Sequence, residues 1–276
     1  APTFRHKMYS EYKGTRKGMP DELAEQMPVI KEILTAMNVP IIELEGYEAD
    51  DILGTVAKIN DTNNIFTYIL TGDKDSFQLI GKNVSVVIPT NRAGKTEYTI
   101  YTPDLLKEKQ NIEPYQIIDI KSLMGDSSDN IPGVKGIGEK TAYNLIWKYT
   151  TLENIYDNID NLEVTSKIKE KLVNDRDMAF LSKTLATIDT DVPINLDYNI
   201  CKVSDVNKNQ LYRLFRRLEF SKFMEKYDFS KIDITQNMSE KNEVILEELS
   251  NQKKFVILDG DNILKYIDDL KNIFNE

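Results

Sequence analysis

The chain has 276 residues, 41% hydrophobic and 29% charged, which supplies a sizeable core and argues against wholesale disorder. One cysteine and one histidine exclude an intrachain disulfide and any thiolate or histidine-rich metal site. Any metal must therefore be held by oxygen ligands, as Mg²⁺ and Mn²⁺ are.

The formal net charge of −10 is uninformative about nucleic acid, because bound cations would neutralise part of it and the basic residues are locally concentrated. No apolar run approaches membrane-spanning length and no signal peptide is visible, which with the single cysteine points to a reducing cytoplasm. The opening Ala-Pro-Thr, without an initiator Met, is what a piece of a longer protein would show.

Phe4–Lys17 concentrates Arg5, His6, Lys7, Lys13, Arg16 and Lys17 against Glu11, with Tyr9 and Tyr12 interleaved. Basic groups in such a segment neutralise phosphates while the aromatics stack on bases; a solvated cationic loop is the plain alternative. Pro20-Asp21-Glu22 starts a helix running to about Met37, bent at Pro28. Val39–Leu44 reads as a short apolar strand, and Gly46-Tyr47-Glu48-Ala49-Asp50-Asp51 opens a helix through Lys58. Acids in a first helical turn answer the macrodipole. Glu48 and Asp51 also share a helix face, where like charges repel unless a cation lies between them.

Ile65–Leu70 is a continuous β-branched and apolar run, predicting a buried parallel strand. It delivers Asp73 and Asp75 to the carboxyl end of that strand, where the crevice of a parallel α/β sheet lies. Either acid alone would pass for a loop cap. Val84–Pro89 and Tyr98–Tyr101 predict a hairpin around Asn91–Lys95. Helices follow at about 102–110, 113–124 and 139–149, the last holding Trp147, the only tryptophan, expected in the core.

Met124–Ala142 is the organising stretch. It offers Asp126 and Asp129 in a polar turn, then Gly133, Gly136 and Gly138 immediately before a helix. Glycines there let backbone N–H groups approach a ligand, and the helix N-terminus adds partial positive charge, so carboxylates for metal adjoin amides for phosphate. Two other readings stand beside this one. The run is a near miss to the nucleotide-binding P-loop, but Glu139 separates the last glycine from Lys140-Thr141 and no apolar strand precedes it. A plain glycine loop joining two helices is the other. Residues 151–227 are mostly helical, with Arg213, Arg216 and Arg217 read as a solubilising surface.

Gly133-Val134-Lys135-Gly136-Ile137-Gly138-Glu139-Lys140-Thr141-Ala142 resembles the helix-turn-helix signature of the 5′ nuclease (flap endonuclease) family, in the form carried by bacterial DNA polymerase I. Phe4-Arg5-His6 with Tyr12-Lys13 and Arg16, Gly46–Asp51, Thr71–Asp75, Arg176–Lys183 and Leu218–Phe220 extend the resemblance over most of the chain. It implies a Mg²⁺- or Mn²⁺-dependent 5′-3′ deoxyribonuclease of the two-metal kind, active on a 5′ flap or 5′ end in replication and repair. By the same resemblance Glu48, Asp50, Asp51, Asp73, Asp75, Asp126 and Asp129 hold two ions. Lys13 and Arg16 stabilise the scissile phosphate, and Arg5 does so less directly. Tyr9, Tyr12 and Gly133, Val134, Lys135, Gly136, Ile137, Gly138, Lys140 and Thr141 would contact DNA, the hairpin with help from K⁺.

The implied architecture is α/β, a central mainly parallel sheet with helices on both faces plus a helical DNA-binding subdomain. Expected divisions are a catalytic core at 1–110, the helical subdomain at 111–228, a linker at 229–242 and a further domain from 243. Lys254–Asp259 reads as a strand opening a degenerate proofreading-exonuclease-like domain, since Asp259-Gly260-Asp261 departs from that unit's Asp-x-Glu. The resemblance also implies two metal-binding aspartates on strands preceding Phe4. Their absence leads us to expect an impaired nuclease in this piece, a monomer whose parent continues into a polymerase. The alternative is a non-catalytic DNA-binding module.

Overall fold

The computed structural model describes residues 2–92 and 94–230. The expected strand at 254–259 and the domain it would open lie outside the described residues, as does most of the linker. Two compact units divide the described chain, one of residues 2–25 with 41–202, the other of 26–40 with 203–230.

The first unit is mixed α/β. A short helix α1 (Phe4–Met8) and one turn, α2 (Asp21–Ala24), precede α4 (Ala49–Thr62). Strand β1 (Thr67–Leu70) lies parallel to β2 (Val84–Arg92), from Thr67 opposite Val84 to Leu70 opposite Val87. β2 turns back as a hairpin into β3 (Lys95–Tyr101), giving the sheet order β1-β2-β3. α4 packs on β1, and a 3₁₀ turn, Lys74–Leu79, carries Phe77 into the core beside them. The parallel pairing of β1 with β2 agrees with the parallel strand expected of the apolar run ending at Leu70.

Helices α5 (Pro103–Gln110), α6 (Gln116–Met124), α7 (Glu139–Tyr149), α8 (Leu152–Asp157), α9 (Ser166–Asn174) and α10 (Arg176–Ala186) complete the unit. α5 begins as its sequence dictates: the Thr102 hydroxyl accepts the Leu105 amide, and Pro103 stands where no N–H is needed. α6 packs between α7 and α10. One continuous hydrophobic cluster runs from Ile69, Val86 and Phe77 through Leu106, Ile120 and Leu123 to Ile146, Ile155 and Leu172. The sheet and the helical part therefore share a core.

The second unit is built from α3 (Gln26–Ala36), α11 (Lys208–Arg217) and α12 (Ser221–Met224), around Ala36, Leu211, Leu214 and Phe215. No helix among the described residues is long and apolar enough to cross a membrane.

Several local expectations are corrected. Val39–Leu44 forms no strand among the described residues, because an apolar run becomes a strand only where a neighbour takes its hydrogen bonds. The helix after Pro20 breaks at Glu25, while Pro28 sits in the first turn of α3, where a missing N–H costs nothing. β1 is buried on one face only: Ile69 is 3% exposed, Tyr68 and Leu70 each 64%. Trp147 is 48% exposed and not in the core.

Candidate active site

The acids named from the sequence arrive from three places: the start of α4 (Glu48, Asp50, Asp51), the loop leaving β1 (Asp73, Asp75) and the turn leaving α6 (Asp126, Asp129). Two lysines join acids from different places. The Lys13 ammonium donates to Glu48 Oε2 at 2.7 Å and stands 3.5 Å from Asp129 Oδ2. The Lys121 ammonium donates to both Asp75 and Asp126. The three segments thus converge, though among the described residues no three acids meet closely enough to form a ready metal cage.

The charge balance differs from acid to acid. Burial, then the charges of Asp73, Asp75 and Glu48, pushes the Asp50 carboxyl up to about 6. Burial raises Asp75 as well, helped by Asp73 and Asp126 against the opposing pull of Lys121. Burial works in the same direction on Asp126, but Lys121 and Ser128 outweigh it and hold this carboxyl down to about 2. Its Oδ1 accepts both the amide and the hydroxyl of Ser128 at 2.7 Å.

Asp51 stands apart from the other acids. It is fully buried, and Arg5, itself only 3% exposed, grips it with two hydrogen bonds of 2.8 and 2.7 Å. The Glu48 and Asp189 amides also donate to it. Burial alone would raise this carboxyl, yet the Arg5 fork and those amides bring it below its ordinary value. Arg5 donates further to the Leu185 and Thr187 carbonyls, so four of its five N–H groups are engaged. These contacts correct two expectations: Asp51 has no lone pair aimed at a metal, and Arg5 is not free to reach a phosphate. Together they tie α1, α4 and the end of α10.

The basic segment behaves unevenly. Arg16 pairs with Asp129, donates to the Ser128 carbonyl at 3.1 Å, and keeps half its side chain in solvent. Lys13 adopts a left-handed backbone (φ 55°), a strain of about 1 kcal/mol held by its amide on the Asp129 carbonyl at 2.8 Å. Tyr12 is corrected. It is 2% exposed, packs on Ile131, Leu185 and Ala186, and hydrogen-bonds Glu48 and Asp129, so its ring has no free face for a base. Burial, with those two carboxylates, strongly raises its phenol. Tyr9 packs partly buried against the same cluster.

In the glycine hairpin, Val134 and Ile137 are buried at 1% and 4%, so their side chains anchor the loop and only their backbone could face DNA. The Gly133 amide goes to the Ser182 hydroxyl, Val134 to the Leu123 carbonyl, Lys135 to Asp175 and Ile137 to the Val134 carbonyl. Among the described residues the amides of Gly136, Gly138, Glu139 and Lys140 have no such partner and lie at the start of α7. Gly125 and Gly133 have positive φ and lie back to back: a Cβ on Gly133 would strike the Gly125 backbone. Paired amide–carbonyl bonds of 2.8 Å between Asp126 and Ile131 close the turn.

Residues 1–111 match the family model described as the 5′-3′ exonuclease N-terminal resolvase-like domain, and 112–209 match the 5′-3′ exonuclease C-terminal SAM fold. The chain belongs to the 5′-3′ exonuclease family. Among curated relatives of this exonuclease chain, DNA polymerase I of Caldicellulosiruptor bescii is 46% identical over 228 residues, 83% of the chain. DNA polymerase I of Bacillus subtilis is 44% identical over 237 residues, 86% of the chain. The chain spans 27% of the length of each. The solved T5 5′-exonuclease with bound zinc is 27% identical, with a TM-score of 0.56, covering 69% of this chain and 72% of that one. The catalytic core of Rad2, solved with DNA, shares the fold at 18% identity and a TM-score of 0.52, covering 78% of this chain and 71% of that one.

Sequence reasoning passed over Lys121 in this exonuclease domain. Its signal was present as a lysine on the last turns of α6, just before the Asp126 turn.

Proposed function

We propose that the chain hydrolyses DNA phosphodiesters at 5′ ends and 5′ flaps, using two divalent cations, Mg²⁺ or Mn²⁺. The observation supporting this most strongly is the convergence of acids from three segments with too few cations among them. Asp50 is raised to about 6 by burial and by Asp73, Asp75 and Glu48, as expected of an acid cluster short of positive charge. An all-carboxylate donor set fits hard divalent cations. Glu48, Asp50, Asp73, Asp75, Asp126 and Asp129 would hold them, without Asp51. Bound ions would acidify a water and offset charge on the phosphate.

The chain's own residues supply the rest. Arg16, half in solvent, and Lys13 offer cationic hydrogen bonds to the phosphate being cut, where charge grows during reaction. The Gly136, Gly138, Glu139 and Lys140 amides bind a backbone phosphate of the duplex at the start of α7. K⁺ would sit at the hairpin carbonyls; Lys171, which donates to the Gly136 carbonyl at 2.6 Å, already places a cation there. Ser182 and Asp175 hold the hairpin in shape. We further take the protein to act as a monomer in the cytoplasm, within a parent that also carries a polymerase.

A second reading, DNA binding without cleavage, is favoured by one observation: two lysines close pairs of candidate ligands, and among the described residues no three acids stand close enough to hold an ion. Incubating the chain with an end-labelled 5′-flap duplex, with Mg²⁺, Mn²⁺ or EDTA, separates the two. Metal-dependent release of the flap is expected; binding with no cleavage in either metal would leave the binding module standing.

A further inference from the structure

Next to the acids lies a cavity of about 700 Å³, within the range of small-ligand sites. Its wall is one face of α7. Ala142, Leu145 and Ile146 of that helix are buried, whereas Lys140, Tyr143, Asn144 and Trp147, spaced i, i+3, i+4 and i+7, face the cavity. Met124 forms part of an apolar floor, and Lys74 and Lys109 stand at the rim with Lys140. Tyr143 is fixed by its hydroxyl, which donates to Gln110 at 3.1 Å. It meets Trp147 edge-on, ring centres 5.6 Å apart, leaving half of the indole in solvent. A tryptophan so exposed is unusual, since indoles are mostly buried.

We propose that this cavity is a subsite for one unstacked DNA nucleotide, with its base on Trp147 and its phosphate among Lys74, Lys109 and Lys140. Three features select this occupant. An indole face accepts any base by stacking. Lys74, Lys109 and Lys140 line the cavity against Glu139, while Lys121 is already paired with Asp75 and Asp126, so the lysine side of the cavity complements a phosphate. A base inside an intact duplex has no free face, so the nucleotide must be unpaired. Asp75 lines the cavity and also belongs to the acid cluster, which puts the captured nucleotide beside the bond to be cut. The choice of DNA, as opposed to a free nucleotide, rests on the proposed nuclease reading.

Trp147 is the only tryptophan, so emission excited at the red edge, where tyrosine does not absorb, reports on this cavity alone. The whole chain is titrated without added divalent cation, so nothing is cut, with three probes: a labelled duplex bearing a single-stranded end, a blunt duplex of equal length, and dAMP. Label anisotropy reports binding independently of emission. The expected result is saturable quenching by the ended duplex and, at higher concentration, by dAMP. Trp147→Ala should weaken binding of the ended duplex about tenfold and leave the blunt duplex unchanged, with Trp147→Phe restoring most of the loss. Circular dichroism should show both variants folded. DNA bound by anisotropy with unchanged emission, or with equal affinity for Trp147→Ala, would overturn the subsite. Quenching by dAMP without DNA binding would keep the subsite and remove the nuclease reading. Response to neither would remove both.

Discussion

Asp50 and Asp51 are neighbours in one helical turn with opposite surroundings. Asp51 is sealed among an arginine fork and two amides, all its hydrogen-bonding capacity used, and its carboxyl is lowered. Asp50 faces other acids, and its carboxyl is raised. The difference teaches that an acidic motif is not a uniform ligand set. One of its acids builds the platform on which the others are presented, and the contrast lies in partners far away in sequence.

The contrast is most severely broken by Arg5→Ala. A buried carboxylate stripped of its partner costs about 3–5 kcal/mol, so urea denaturation should show a loss of that order. The paired replacement Arg5→Met with Asp51→Leu should recover much of it, because two apolar groups leave no orphan charge. Recovery of stability with retained Mn²⁺ binding would sharpen the distinction between Asp51 and the ligand set.

Next in size is Arg16→Ala, which leaves the Asp51 platform untouched. Flap cleavage should fall about 10²-fold with little change in thermal stability, the signature of a group that acts mainly on developing charge. Equal cleavage would remove Arg16 from the chemistry.

Smallest is the effect of protonating Asp50. A folded-state carboxyl at about 6, above the unfolded 3.8, means the folded protein binds the extra proton. Metal-free stability is therefore highest below about pH 4 as far as this group is concerned, and falls as pH rises through 6. Asp50→Asn should flatten that slope and stabilise the metal-free protein above pH 6 by on the order of 1–2 kcal/mol. Added Mn²⁺ should stabilise the parent more than the variant. A pH series of melting curves with and without Mn²⁺ checks all three points.

Much of this was legible in the sequence where the cause is local. The run ending in Asp73 and Asp75 had to be a strand feeding acids into a loop, and Gly133–Gly138 had to be a tight turn before a helix. Pro103 and Thr102 marked a helix start. What escaped depends on distant partners. Arg5 and Asp51 are 46 residues apart, so nothing in either segment announces their pairing. Val39–Leu44 has strand composition but no neighbour to pair with among the described residues. Tyr12 lies in a basic, aromatic segment that reads as a DNA contact, yet its ring fills a gap beside Leu185. Trp147 was assigned to the core on residue type, although its helical spacing groups it with Lys140 and Tyr143, opposite Ala142 and Ile146.

The back-to-back contact of Gly125 and Gly133 has a mechanical meaning. With Asp126 bonded to Ile131 and Val134 to Leu123, the acidic turn and the glycine hairpin form one stiff bracket. On the proposed reading such a bracket is a ruler: where the double helix is clasped decides which linkage meets the ions. Lengthening it by one residue between Ile131 and Gly133 should move the cut along the strand, and product sizes on a sequencing gel would show by how many bonds.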